Sequence, residues 1–250
     1  MKLLPIFGAA TACALAVTAA VASTETAAPV EGSVKGRIVF DGKAPEAKPL
    51  PIKEAQAEGC CAPGTKVDDT DRSLLVDEKG GIANVVVGLT VDGFKFELPK
   101  EPVLLDQEGC RFSTVVLPVH VGTTVAYGNS DSISHNVHTY ATKNEGINKT
   151  VAAGTTLEQK LEEAEAVRVA CDIHPWMEAH VYVTESTHFT VTGRDGSFEL
   201  PGVPAGEYKL EIWHAKLGKG KGTAKVAADG SAEMVEIKMG EKKKGGRRRR

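Results

Sequence analysis

The sequence predicts an all-β protein: a β-sandwich with further β segments on either side. Three observations carry that reading. Short runs of alternating or continuous apolar residues recur along the chain. Gly-containing turn signals separate those runs. Only one segment has the composition of a helix. Aromatic residues make up 5% of the chain against 26 glycines, which favours short strands and frequent turns.

The N-terminus sets the compartment. Lys2 precedes an apolar run from about Leu3 to Val21, and Ala20-Val21-Ala22 has the small-x-small form of a cleavage site. Residues 1–22 are expected to be a secretory signal peptide cut after about Ala22, taking Cys13 with it. Pro5, Gly8, Thr11 and Thr18 interrupt the run, and nothing basic follows to stop transfer, which argues against an anchor. The mature chain of about 228 residues is expected to be periplasmic or secreted, with no later transmembrane segment.

Residues 23–32 read as a flexible leader and 33–100 as an N-terminal β segment. Val34, Gly36, Ile38 and Phe40 share one face of a strand, and Asp41-Gly42 turns the chain. Residues 43–72, rich in Pro, Ala and charge, form a long loop carrying Cys60 and Cys61. Ala83 to Leu89 is a run of the buried-strand type. Residues 101–187 form the next unit, with strands over Val103–Asp106, Phe112–Val121 and Thr123–Asn129.

Leu157 to Ala166 contains good helix formers throughout. Its flanks alternate instead: Leu157, Gln159 and Leu161 on one side, Val167, Val169 and Cys171 on the other. The pattern predicts two strands joined by an acidic turn, Glu162 to Glu165, with Cys171 at the end of the second strand. Residues 188–240 form a last β-module. Phe189 to Thr192 and Ser197 to Leu200 flank the hairpin signal Asp195-Gly196. Pro201 to Gly206 reads as a turn, Tyr208 to Trp213 as a strand, and Ala224–Ala227 and Met234–Met239 as two more.

Charge is uneven. Residues 241–250 carry seven basic groups and one acidic one, and form an expected disordered tail able to touch an anionic surface. Without that net +6 and without Lys2, the formal charge falls from −3 to −10. An acidic body is steered toward basic partners and gives no reason to expect nucleic-acid binding. Four cysteines follow the signal segment: Cys60, Cys61, Cys110 and Cys171. Cys110 can bridge to Cys60 or to Cys61, and a vicinal Cys60–Cys61 bridge is the remaining choice; the sequence leaves the pairing open.

The chemistry is concentrated in Cys171-Asp172-Ile173-His174-Pro175-Trp176-Met177, where thiolate, imidazole and thioether recur every third residue. Such donors suit a soft, redox-active metal. Ser134-His135-Asn136-Val137-His138 offers a second imidazole. Cys171, His135 and His174 are expected to form a trigonal plane around copper, with Met177 as a weak axial donor. His138, three residues past His135, points to the opposite strand face. Were it to join the others, the set would be a Cys-His₃ zinc site. Met177 as core filler is the bland alternative. His120, His180, His188 and His214 read as packing or surface residues. No Cys-x-x-Cys-His, Ser-His-Asp set, phosphate-cradling Gly loop or paired catalytic carboxylates stands out.

From about Leu104 to Val183 the chain resembles the cupredoxins, amicyanin and pseudoazurin above all, in the short Cys-x-x-His-Pro-aromatic-Met loop and the His-Asn-Val-His segment. The resemblance implies a Greek-key β-sandwich with one type 1 copper held by His135, Cys171, His174 and Met177. It implies that Asn136 ties the two ligand-bearing loops together, that the His174 ring reaches the surface, and that Pro175 and Trp176 help form an apolar docking patch. Phe189 to His214 resembles a carboxypeptidase regulatory-like module. The mixed layout is similar to methylamine-utilisation-like exported proteins, an analogy silent on pathway.

The implied function is an exported, non-enzymatic carrier passing single electrons between redox proteins such as a cytochrome c or a dehydrogenase. The alternative is a non-redox β-sandwich for copper or zinc handling, or for carbohydrate or cell-surface attachment. A copper enzyme is disfavoured because further copper-binding His clusters and a second cupredoxin-like domain are not evident.

Overall fold

The computed structural model describes residues 30–46, 48–53, 57–61 and 66–241. The expected signal peptide, most of the leader and the basic tail past Glu241 lie outside the described residues. All regular structure is β. In chain order the strands are β1 (Glu31–Phe40), β2 (Val86–Leu89), β3 (Val103–Leu105), β4 (Gln107–Glu108), β5 (Arg111–Phe112) and β6 (Val116–His120). Next come β7 (Thr124–Gly128), β8 (His135–Tyr140), β9 (Asn148–Val151), β10 (Thr156–Lys160), β11 (Glu165–Ala170) and β12 (Glu178–Thr184). The last are β13 (His188–Val191), β14 (Ser197–Pro204), β15 (Gly206–His214), β16 (Gly218–Val226) and β17 (Val235–Met239). No helix forms among the described residues, and so none crosses a membrane.

Two sandwiches result. In the middle of the chain, the sheet β6-β12-β11-β8-β9 packs on the sheet β10-β7-β3. Their shared core includes Val125, Tyr127, Val137, Val167, Val169 and Val181, all fully buried. The outer sandwich combines both ends of the chain: β14-β1-β17 forms one sheet and β13-β2-β15-β16 the other. β1 runs parallel to β17, with Gly36 beside Val235 and Phe40 beside Met239. Gly36 is required there, because a Cβ would sit 2.4 Å from the Val235 carbonyl oxygen.

The continuous apolar run of β2 has a direct cause. Val87 and Leu89 enter the outer core, while Val86 faces the middle sandwich beside Val116, Tyr182 and Trp213. A strand covered on both faces needs no polar alternation. Tyr182 and Trp213 stack at 4.8 Å across this junction.

The helix-prone segment is extended, as its flanks predict. Leu161, Val167 and Val169 are fully buried, and tertiary burial overrides propensity. The acidic corner is held by specific partners: the amides of Glu162 and Glu163 donate to Asn144 Oδ1, at 2.8 and 3.0 Å. The expectation of a turn over Pro201–Gly206 is corrected. β14 continues to Pro204, still paired with β1. Val34 faces Leu200 and Gly32 faces Val203, so Pro201 and Gly202 together oppose one residue. Gly202, at φ 71°, absorbs this bulge, which bends the strand without ending it.

Candidate metal centre

His135 opens β8 and Cys171 follows directly after β11. Alternation aims both inward. His135 shares a face with buried Val137, and Cys171 shares one with Val167 and Val169. From Cys171 the chain loops to Met177 and re-enters the sheet as β12. The Cys171 amide donates to the Met177 carbonyl at 3.2 Å, and the Met177 amide donates to the His174 carbonyl at 2.9 Å. These two bonds close the seven-residue loop on itself.

His135 Nδ1 lies 3.0 Å from His174 Nδ1, and Cys171 Sγ lies 3.7 Å from the same nitrogen. Donor atoms of His135, Cys171 and His174 all fall within 4.8 Å of one another, and all three residues are buried. Met177, wholly buried, packs in the same core as Cys171. Asn136 Oδ1 accepts the Asp172 amide at 2.5 Å, tying β8 to the loop. His138 lies elsewhere. Its Nδ1 meets the Asp172 carboxylate at 3.1 Å, and its ring stacks on Tyr140 at 4.1 Å.

Burial pushes the Cys171 thiol up. Hydrogen bonds with His135 and His174, reinforced by backbone amides, outweigh it and hold the thiol at about 5 instead of 9.0. Burial pulls His135 down, but hydrogen bonds to Cys171 and Asp131 outweigh it and raise its pKa. The pair thus favours a thiolate, which is the metal-binding form of cysteine.

Three features were missed, left open or misjudged from the sequence. Asp131 Oδ2 meets His135 Nε2 at 2.7 Å, with both side chains buried. The same carboxylate accepts the amides of Gly109 and Cys110, at 2.6 and 2.8 Å. The only local signal was an acidic residue four positions ahead of a proposed ligand. Cys110 is bridged to Cys60, leaving Cys61 and Cys171 as free thiols among the described residues. Cys110 sits in the two-residue turn between β4 and β5, where both Gly109 and Cys110 have positive φ, 60° and 52°. A two-residue hairpin of this hand requires that of both positions.

The third feature is a correction. The His174 ring does not reach the surface: the residue is 3% exposed. Cys60 Sγ lies 3.8 Å from His174 Nε2, and the Trp176 ring covers another side at 5.2 Å. Trp176 is itself pinned, its Nε1–H donating to the Cys110 carbonyl at 3.0 Å. Apolar exposure is displaced along the loop to Ile173, 51% exposed, and to Pro175. A cavity of about 420 Å³ beside the loop is lined by Pro175 and Trp176 but not by His135, Cys171 or His174.

No family model matches the chain, and no curated protein matches it. Solved structures that are similar to it include a novel purple cupredoxin from Nitrosopumilus maritimus. That match has 26% identity over 33% of this chain and 99% of the other, with a TM-score of 0.29. Amicyanin from Paracoccus versutus matches at 20% identity over 39% of this chain and 97% of its own, with a TM-score of 0.30. A copper-containing nitrite reductase from Thermus scotoductus matches at 23% identity over 39% of this chain, with a TM-score of 0.33; only 25% of that enzyme is covered.

Proposed function

We propose that this chain is an exported copper protein that passes single electrons between protein partners and catalyses no reaction of its own. The supporting observation is the convergence of two imidazole Nδ1 atoms and one acidified thiol in a buried cluster. The donor set fits the metal: thiolate favours Cu(I), and imidazole accepts both oxidation states. When bound, copper supplies a one-electron Cu(I)/Cu(II) couple. His135, Cys171 and His174 hold it, with Met177 as the soft fourth donor. Asp131 keeps the His135 proton on Nε2, so that the Nδ1 lone pair faces the metal. Loop closure through Met177 and the Asn136 tie keep the donors in place between oxidation states.

The exposed apolar side chains Ile173 and Pro175 flank His174 in the loop, and serve as the contact for a redox protein such as a cytochrome c or a dehydrogenase. The acidic body favours a basic partner. Zinc is disfavoured by the position of His138, which turns to Asp172 and leaves the set without a third imidazole.

The test is reconstitution of the mature protein with Cu(II). An intense visible thiolate-to-copper charge-transfer band is expected, lost in Cys171→Ser and kept in His138→Ala. No band in the wild type, or its loss in His138→Ala, overturns the assignment.

A further inference from the structure

His174 presents its two ring nitrogens to two different sulfur groups. Nδ1 faces Cys171, and Nε2 faces Cys60 Sγ at 3.8 Å. The Cys60, Cys110 and His174 donor atoms lie within 4.8 Å of one another, and all three residues are buried. Nε2 thus sits inside the protein with a disulfide sulfur, a weak acceptor, as its hydrogen-bonding partner. Metal–sulfur and metal–imidazole bonds of about 2.3 and 2.0–2.1 Å, opened to a trigonal angle, span about 3.8 Å between S and N. Cys60 and His174 Nε2 already stand at that separation.

The geometry points to a second, redox-gated metal site. When the Cys60–Cys110 disulfide is reduced, the two thiolates and His174 Nε2 bind a soft cation, Cu(I) above all. A dithiol reductant supplies the two electrons and two protons. The Sγ–Sγ bond breaks, two thiols form, and the dithiol becomes a disulfide. On metal binding each thiol releases its proton to solvent, and so does His174 Nε2–H when Nδ1 already serves the first metal, leaving the ring as a bridge between the two sites. Cys110 is already positioned for the role. Its amide is held by Asp131 and its carbonyl by Trp176, so the disulfide is not its only anchor. The site is distinct from the His135–Cys171 set and shares only His174 with it. It makes the chain a two-copper protein under reducing conditions and a one-copper protein under oxidising ones.

The test uses the whole mature protein, reduced with a water-soluble phosphine that is then removed under anaerobic conditions. Cu(I) is added with a competing Cu(I) chelator, and retained copper is counted. Alkylation followed by mass spectrometry shows which cysteines the metal protects. One additional copper per chain over the oxidised protein is expected, with Cys60 and Cys110 protected. Cys61→Ser should keep the gain and Cys60→Ser should lose it. Protection mapping on the reduced wild type decides the matter even if Cys60→Ser fails to fold. Cys171→Ala should also keep the gain, so an absent visible band, which would sink the electron-carrier reading, leaves this result intact. No gain on reduction, protection of Cys61 in place of Cys60, or loss of the gain in Cys171→Ala overturns the proposal.

Discussion

Asp131 meets the outer nitrogen of His135 at 2.7 Å and accepts the Cys110 amide with the same oxygen. One carboxylate therefore orients a proposed ligand and anchors the disulfide-bearing turn beside it. Both roles fall to Oδ2, while Oδ1 accepts the Gly109 amide of the same turn at 2.6 Å.

Replacing Asp131 with Ala should weaken copper binding by about 10–100-fold, the usual effect of removing the group that orients a histidine ligand. Asp131→Asn, which keeps one acceptor oxygen, should lose less. Competition with a copper chelator at fixed pH measures both. Equal affinity for Asp131→Ala and wild type would show that His135 orientation does not depend on it.

The pH profile of the metal-free protein should carry the signature of Cys171. Its pKa falls from 9.0 to about 5 on folding, so its contribution is full above pH 9 and is lost as pH drops through 5. His135 shifts upward, so its contribution is full below about 6.5 and fades as pH rises through its folded value. Together they predict that stability climbs from about pH 5 to 6.5 and then flattens as the two trends oppose. The difference between wild type and Cys171→Ser in denaturant titrations isolates the climb. A difference that does not vary with pH contradicts the thiolate assignment.

Glu165 accepts from the amides of Thr142, Lys143 and Asn144 and from two of their side chains, at 2.6 to 3.0 Å. Burial pushes its carboxyl up, but these bonds outweigh it and bring the pKa to about 2 from 4.5. Its stabilisation is therefore complete above pH 4.5 and fades as pH falls toward 2. Glu165→Gln should cost about 1 kcal/mol at neutral pH, at the low end for charged hydrogen bonds because the site is half-exposed. The gap should close in acid, which chemical denaturation at pH 7 and pH 3 will show.

Gly36→Ala places a methyl group against the Val235 carbonyl and the Phe198 ring. It should destabilise the outer sandwich by about 1–3 kcal/mol, the usual range for overpacking. The position of the copper band should not move, because Gly36 belongs to the other core. Thermal melts and visible spectra of the copper-loaded variant test the two statements separately.

The parts legible in the sequence were local. Cys171, His174 and Met177 share one short loop, so their spacing shows without a fold, and strand alternation aimed Cys171 and His135 inward. Alternation names a strand's inner face but never its neighbour. It marked β1 correctly while saying nothing of its pairing with β17, nearly the whole chain away. The bulge at Pro201-Gly202 looked like a turn because both uses favour the same residues. Asp131, Cys60 and Cys110 reach the centre through a turn and a disulfide, whose partners no spacing rule supplies. For the same reason the covering of His174 was invisible: the short loop motif says nothing of a distant segment laid over it.

The parallel contact between Gly36 and Val235 has a bearing on how the protein is born. During synthesis, the strands that present His135 and Cys171 are all made before the outer sheet receives its last member. Pairings between sequence-distant segments are slow to form. The inner half can therefore mature while β1 still waits for its mate. The proposed copper site is thus encoded ahead of the last strand of the frame, and truncation near the end should damage the outer sheet before that site.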